Sequence, residues 1–113
     1  MAGRFMARQG DVLIRQVARV PAGAKRVVRD EGRVVLAYGE VTGHAHAILD
    51  HNVKLFELTD SEVDVRFLEI TNSAGADVTH EEHDTVHVPE GVYEVTQQRE
   101  YSSTDMPPAR VRD

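Results

Sequence analysis

The chain reads as an all-β protein, a small single-domain barrel or sandwich of about eight or nine short strands. Three observations carry that expectation. The apolar residues are chosen for pleated surfaces, with 17 Val against 6 Leu and 3 Ile and no Trp in 113 residues, and β-branched side chains suit strands better than helices. Short alternating apolar runs recur at close spacing, separated by Gly, Pro and Asp turn signals. No segment sustains helical apolar periodicity over three turns.

The elements follow in order. Asp11 to Val17 alternates and reads as the first strand, and Pro21-Ala22-Gly23 as a turn. Lys25 to Arg29 is a second strand, closed by the turn Asp30-Glu31-Gly32. Arg33 to Tyr38 is a strong strand that runs into Gly39-Glu40-Val41-Thr42-Gly43, where two glycines predict a bend, a bulge or a close backbone approach. His44 to Leu49 and Val53 to Leu58 are further strands. Glu62 to Ile70 alternates cleanly, with Val63, Val65, Phe67 and Glu69 on one face. Thr71 to Asp77 is a loop by composition, and Val78 to Asp84 is polar and histidine-rich. Thr85 to Val88 is a short strand, Pro89-Glu90-Gly91 a turn, and Val92 to Gln98 the last strand. One domain over residues 9–101 results, followed by a loose tail over 102–113.

Cysteine is absent. That excludes disulfides, thiolate zinc sites, iron–sulfur clusters and cysteine nucleophiles, and it points to a cytoplasmic protein. No stretch approaches a membrane span, and the opening MAGRFMARQGD has no apolar run of signal-peptide type. The net charge is −6, with the first 33 residues at +5 and the remaining 80 at −11. Either strands from both parts interleave into a mixed surface, or complementary patches drive self-association. Nucleic acid is not an expected partner, because the basic residues lack interleaved aromatics and the acidic remainder repels phosphate.

The chemistry lies in the six histidines. His44-Ala45-His46 on a strand directs both imidazoles to one face, with Cα atoms about 6.5–7 Å apart. Two imidazoles at that spacing converge on one ion, and neutral imidazole suits zinc and other divalent first-row metals. The second group is His80-Glu81-Glu82-His83, a polar segment able to turn both rings inward as a clasp, followed by His87 between two valines. If the valines fill the core, His87 points away from it. The expected ligands are His44, His46, His80 and His83 holding Zn²⁺, with His87 as an alternative to His80. Glu40 stands four residues before His44 and is a candidate base or orienter of an imidazole. If the strand extends back to Thr42, its hydroxyl shares the histidine face and is placed to hydrogen-bond a metal-bound hydroxide. Competing readings are surface or structural histidines and a pH-responsive cluster.

Several motifs together resemble a set of small uncharacterised proteins of bacteria and phages: Gln9-Gly10-Asp11-Val12, Gly39 to His46, His80 to His83, Pro89-x-Gly91-x-Tyr93-x-Val95 and Gln98-Arg99-Glu100-Tyr101. The resemblance spans about residues 9–101 and carries no activity. His44-x-His46 and the Pro89-Glu90-Gly91 turn also resemble the cupin superfamily of metal-binding β-barrels. Two departures stand out: only the shorter Asp50 stands where the cupin carboxylate is required, and the later histidines precede the turn rather than follow it. The strand pair with a third histidine is similar, over three residues, to the zinc site of α-type carbonic anhydrases.

The leading expectation is a zinc-dependent enzyme that activates water to hydrate or hydrolyse a small-molecule substrate, with carbonic-anhydrase-like hydration the simplest case. The alternative is a non-enzymatic, phage- or host-associated assembly module with a structural metal or none. A homo-oligomer is expected in either case, since so small a chain often completes a site between subunits.

Overall fold

The computed structural model describes residues 4–39, 43–60 and 63–97, and among these it is all strand and turn, without a helix. Ten strands follow in chain order: β1 Met6–Gln9, β2 Val12–Val17, β3 Lys25–Val27, β4 Val34–Tyr38, β5 Ala45–Ile48, β6 Val53–Asp60, β7 Val63–Ile70, β8 Ala76–Val78, β9 Val86–Val88 and β10 Gly91–Gln97. All pairings are antiparallel. The tail from Ser102 lies outside the described residues.

Six strands form one sheet in the order β1-β2-β10-β7-β6-β3, and two hairpins, β4-β5 and β8-β9, form the opposing layer. Ala47 and Thr79 join the hairpins by reciprocal backbone hydrogen bonds of 3.0 and 2.8 Å. The core fills the space between the layers. Val12, Ile14, Leu55, Leu68 and Tyr93 come from the large sheet, and Leu36, Ile48, Val78 and Val88 from the hairpins.

The two additional strands come from weak signals. β1 carries the sequence MARQ, an end strand with Met6 and Arg8 exposed and the polar Gln9 at its buried position, hence no apolar alternation. β8 takes Ala76 and Asp77 from a stretch that composition assigns to a loop. In β7 Leu68 and Ile70 are fully buried on one face, and Phe67 is buried on the other. β4 buries four consecutive residues, Val34 to Ala37. The register shift between Val35 and Ala37 is a bulge that lets neighbours Leu36 and Ala37 both enter the core.

Strands from the basic and the acidic parts of the chain lie side by side in the large sheet. The basic β2 pairs with the acidic β10, where Arg15 stands opposite Glu94 and forms an ion pair with it. Among the described residues, no helix is long and apolar enough to cross a membrane.

Candidate metal centre

Three pieces of chain meet at one end of the sandwich: the start of β5, the His80–Asp84 loop between β8 and β9, and the tight turn Gly10-Asp11 between β1 and β2. The Ala47–Thr79 backbone pair, reinforced by a 3.2 Å bond from Thr79 Oγ1 to Ala47 O, sets the loop against β5. As a result the rings of His44, His46, His80 and His83 gather, with His80 at the hub. Its ring centroid lies 4.4 Å from that of His46, 4.7 Å from His83 and 5.7 Å from His44.

His46 is 2% exposed, and its environment fixes which nitrogen carries the proton. The buried Gln9 carboxamide donates from Nε2 to Val78 O at 2.8 Å and to Asp84 O at 2.9 Å. Its orientation is therefore set, and its Oε1 must accept from His46 Nδ1, 2.7 Å away. The Nε2 lone pair of the neutral ring is left facing the site, 3.4 Å from Asp11 Oδ1. This is how hydrogen-bonded partners orient a ligating histidine in metal proteins. Burial, aided by the nearby His80, lowers the His46 pKa from 6.5, against a weaker upward pull from Asp11.

One nitrogen each from His44 and His80 and one oxygen from Glu81 lie within 4.8 Å of one another. Donors about 2.0–2.1 Å from a tetrahedral ion stand about 3.4 Å apart. The widest separation therefore has to close by at most about 1.4 Å, within reach of side-chain rotation in a loop. Glu81 Oε1 accepts the Ala45 N–H at 3.0 Å. That bond and one from the Glu81 backbone N–H, aided by the neighbouring His44 and His80, hold the carboxyl below its ordinary range, so it stays ionised. His80 Nδ1 accepts the Glu82 N–H at 3.0 Å, so the neutral ring carries its proton on Nε2, and either that bond or that proton must be given up before His80 ligates an ion. Glu82 also stands 3.7 Å from His44 Nδ1.

The family described as a domain of unknown function (DUF8820) matches residues 8–98. The chain belongs to this family. No curated protein and no solved structure matches. The DUF8820 match takes in both histidine segments and the Gly10-Asp11 turn, in keeping with the small uncharacterised family that the motifs resemble.

Within the DUF8820 domain the expected site residues are distributed as follows. His44, His46, His80 and His83 meet, but the compact donor group is His44, His80 and Glu81, with His46 and His83 beside it. Glu40 and Thr42 lie outside the described residues. His87 is exposed and bonded to Asp77 instead, Nδ1 to Oδ1 at 2.7 Å, and His51 is exposed. Sequence reasoning assigned no role to Gln9 or Asp11, although the Gln9-Gly10-Asp11-Val12 motif had marked the place.

Two predictions arise here. Gly10 has φ +58, and a Cβ built on it would lie 2.5 Å from His83 Nε2. Gly10→Ala is expected to destabilise the protein by about 1–2 kcal/mol from backbone strain alone and to displace the His83 ring. Chemical denaturation and the His83 ring proton shifts check both effects. The second concerns pH in metal-free protein. Folded His46 resists a proton that the unfolded chain accepts near pH 6.5, so stability is lost as pH falls below that value. The loss stops once the lower folded pKa is passed. A urea midpoint lower at about pH 5.5 than at about pH 7.5 is expected, and an unchanged or higher one contradicts the assignment.

Proposed function

We propose that this protein is a zinc-dependent, water-activating enzyme whose ion is held by His44, His80 and Glu81, with a fourth position open to water. The supporting observation is the donor set itself. Two imidazoles and one carboxylate plus an open position are the ligands of catalytic rather than closed structural zinc sites. A divalent ion so held lowers the pKa of bound water to about 7 and supplies a nucleophile for hydration or hydrolysis of a small substrate. The protein's own groups do the rest. Glu81 stays ionised through the Ala45 N–H, and Glu82 stands beside His44 to take or return a proton. Glu40 and Thr42, four and two residues before His44 in the chain, are proposed as a base and as a hydrogen-bonding group for water that an ion would bind. The lack of cysteine favours a cytoplasmic setting.

The test is carbon dioxide hydration and ester hydrolysis by zinc-loaded protein purified without a histidine tag. Activity that is lost on chelation and in His44→Ala and Glu81→Ala supports the enzyme. Bound zinc that raises the melting temperature without either activity moves the ion to a structural role, and absence of zinc binding overturns the reading. The assembly alternative draws on β3, an end strand of the large sheet beside the 86% exposed Val28. A homo-oligomer built on that edge would lose association in Val28→Lys, measured by sedimentation.

A further inference from the structure

We infer that the outer face of the six-stranded sheet, over β3, β6, β7 and β10, is a docking surface for a second copy of this chain. The two sheets pack face to face about a two-fold axis that runs along the strands, between β6 and β7. No histidine and no ion takes part, so this interface stands apart from the metal-centre reading.

Residue choice on β6 and β7 points to a second covering layer. An antiparallel sheet with one face in water alternates apolar and polar residues. These two strands do not. Val53, Leu55, Leu68 and Ile70 enter the core. The alternate positions, which point away from it, carry Phe56, Leu58, Val65 and Phe67. Phe56 stands opposite Phe67 and Leu58 opposite Val65, so the four side chains form one apolar square. Phe67 is 7% exposed, and the other three are half-buried. All ten strands belong to this sheet or to the two hairpins on its other side, so no described strand covers the square.

Charge selects a second copy as the occupant. The row through the square runs Arg26, Phe56, Phe67, Glu94 from β3 to β10. In the row beside it Lys54 stands opposite Glu69. A two-fold between β6 and β7 sets β6 over the second copy's β7, and β3 over its β10. Phe56 then meets Phe67, Leu58 meets Val65, Arg26 meets Glu94 and Lys54 meets Glu69, each twice. Apolar groups fall on apolar groups and each of these cations on an anion. Among the described residues, Arg26, Lys54 and Glu69 have no ion-pair partner within their own chain. Shifting the axis onto β7 destroys the match, because Arg15, opposite Glu94 on β2, then faces Arg26. The size also fits. Four strands spaced about 4.8 Å apart, with β6 and β7 eight residues long, cover about 19 by 26 Å, on the order of 500 Å² on each copy. That is the low end of specific interfaces and corresponds to a reversible dimer.

The test is sedimentation of full-length protein in chelator over a concentration series. Wild type is expected to pass from monomer to dimer in the micromolar range, and Phe56→Lys to stay monomeric. Lys54→Glu and Glu69→Lys each set like charges across the axis and weaken the dimer by at least about tenfold. Mixing these two variants restores association, because the reversed charge of each then faces its opposite on the other chain. A structural effect within one chain cannot produce that rescue. Thermal melts confirm that each variant folds. A wild-type chain that stays monomeric to about 1 mM has this face covered by another segment or another partner, and overturns the second copy as occupant. A dimer that Phe56→Lys leaves intact, or that is lost only in Val28→Lys at the free edge of β3, moves the interface elsewhere and overturns it too. So does a mixture of Lys54→Glu and Glu69→Lys that associates no more tightly than either variant alone.

Discussion

Gln9→Leu should destabilise the protein by about 3–5 kcal/mol and release the His46 ring at the same time. Gln9 is 2% exposed and satisfies three partners at once: Val78 O, Asp84 O and His46 Nδ1. Leucine fills a similar volume but leaves all three unpaired, and each unpaired buried polar group costs about 1–3 kcal/mol. The two carbonyls flank the His80–His83 segment, so the same side chain that orients His46 also holds the base of the loop. The stability loss reads out in urea unfolding. The tautomer reads out in long-range proton–nitrogen spectra of the histidine rings, where wild-type His46 shows the proton on Nδ1 and Gln9→Leu shows a mixture. A variant as stable as wild type with an unchanged tautomer would remove Gln9 from the account.

Tyr93→Ala should cost about 3–5 kcal/mol, the range for loss of a large aromatic from a packed core. Tyr93 is fully buried at the centre of the large sheet, between β2 and β7, and meets the Phe5 ring edge-on with centroids 5.8 Å apart. Its hydroxyl donates to Pro89 O at 2.7 Å, which ties β10 to the turn that precedes it. Tyr93→Phe separates the contributions. It loses only the hydrogen bond and leaves one carbonyl unpaired, for about 1–2 kcal/mol. Denaturant midpoints of both variants measure the difference. Equal effects would mean that the ring contributes little beyond its hydroxyl.

These two residues mark what could be read from the sequence and what could not. Strands whose alternation survives burial on one side, such as β2 and β10, are legible because the pleat writes its period directly into the residues. β1 is not legible, because an end strand with exposed positions has no such pattern. The face of β7 is not legible either. Both of its faces carry apolar residues, and only the pairing with β6 and β10 selects Leu68 and Ile70 for the core. The histidine groups are conspicuous by type and spacing. Their partition is not, because His80, Glu81 and His83 lie in a loop where side-chain direction follows from tertiary contacts rather than from a period. A buried glutamine carries no chemical signature at all, and Gln9 acquires its role only when β1 is brought beside the loop. Asp11 is read as the first residue of a strand and becomes a site residue through the turn that Gly10 permits.

The central claim is that two histidine segments far apart in the chain share a cation-binding centre. Its most direct measurement is the histidine ring proton–nitrogen spectrum of metal-free protein during zinc addition. The account predicts that His44 and His80 respond together and saturate at the same equivalent of zinc, while His51 and His87 do not move. A titration in which only one of His44 and His80 responds, or in which the exposed His51 and His87 shift alongside them, would contradict it.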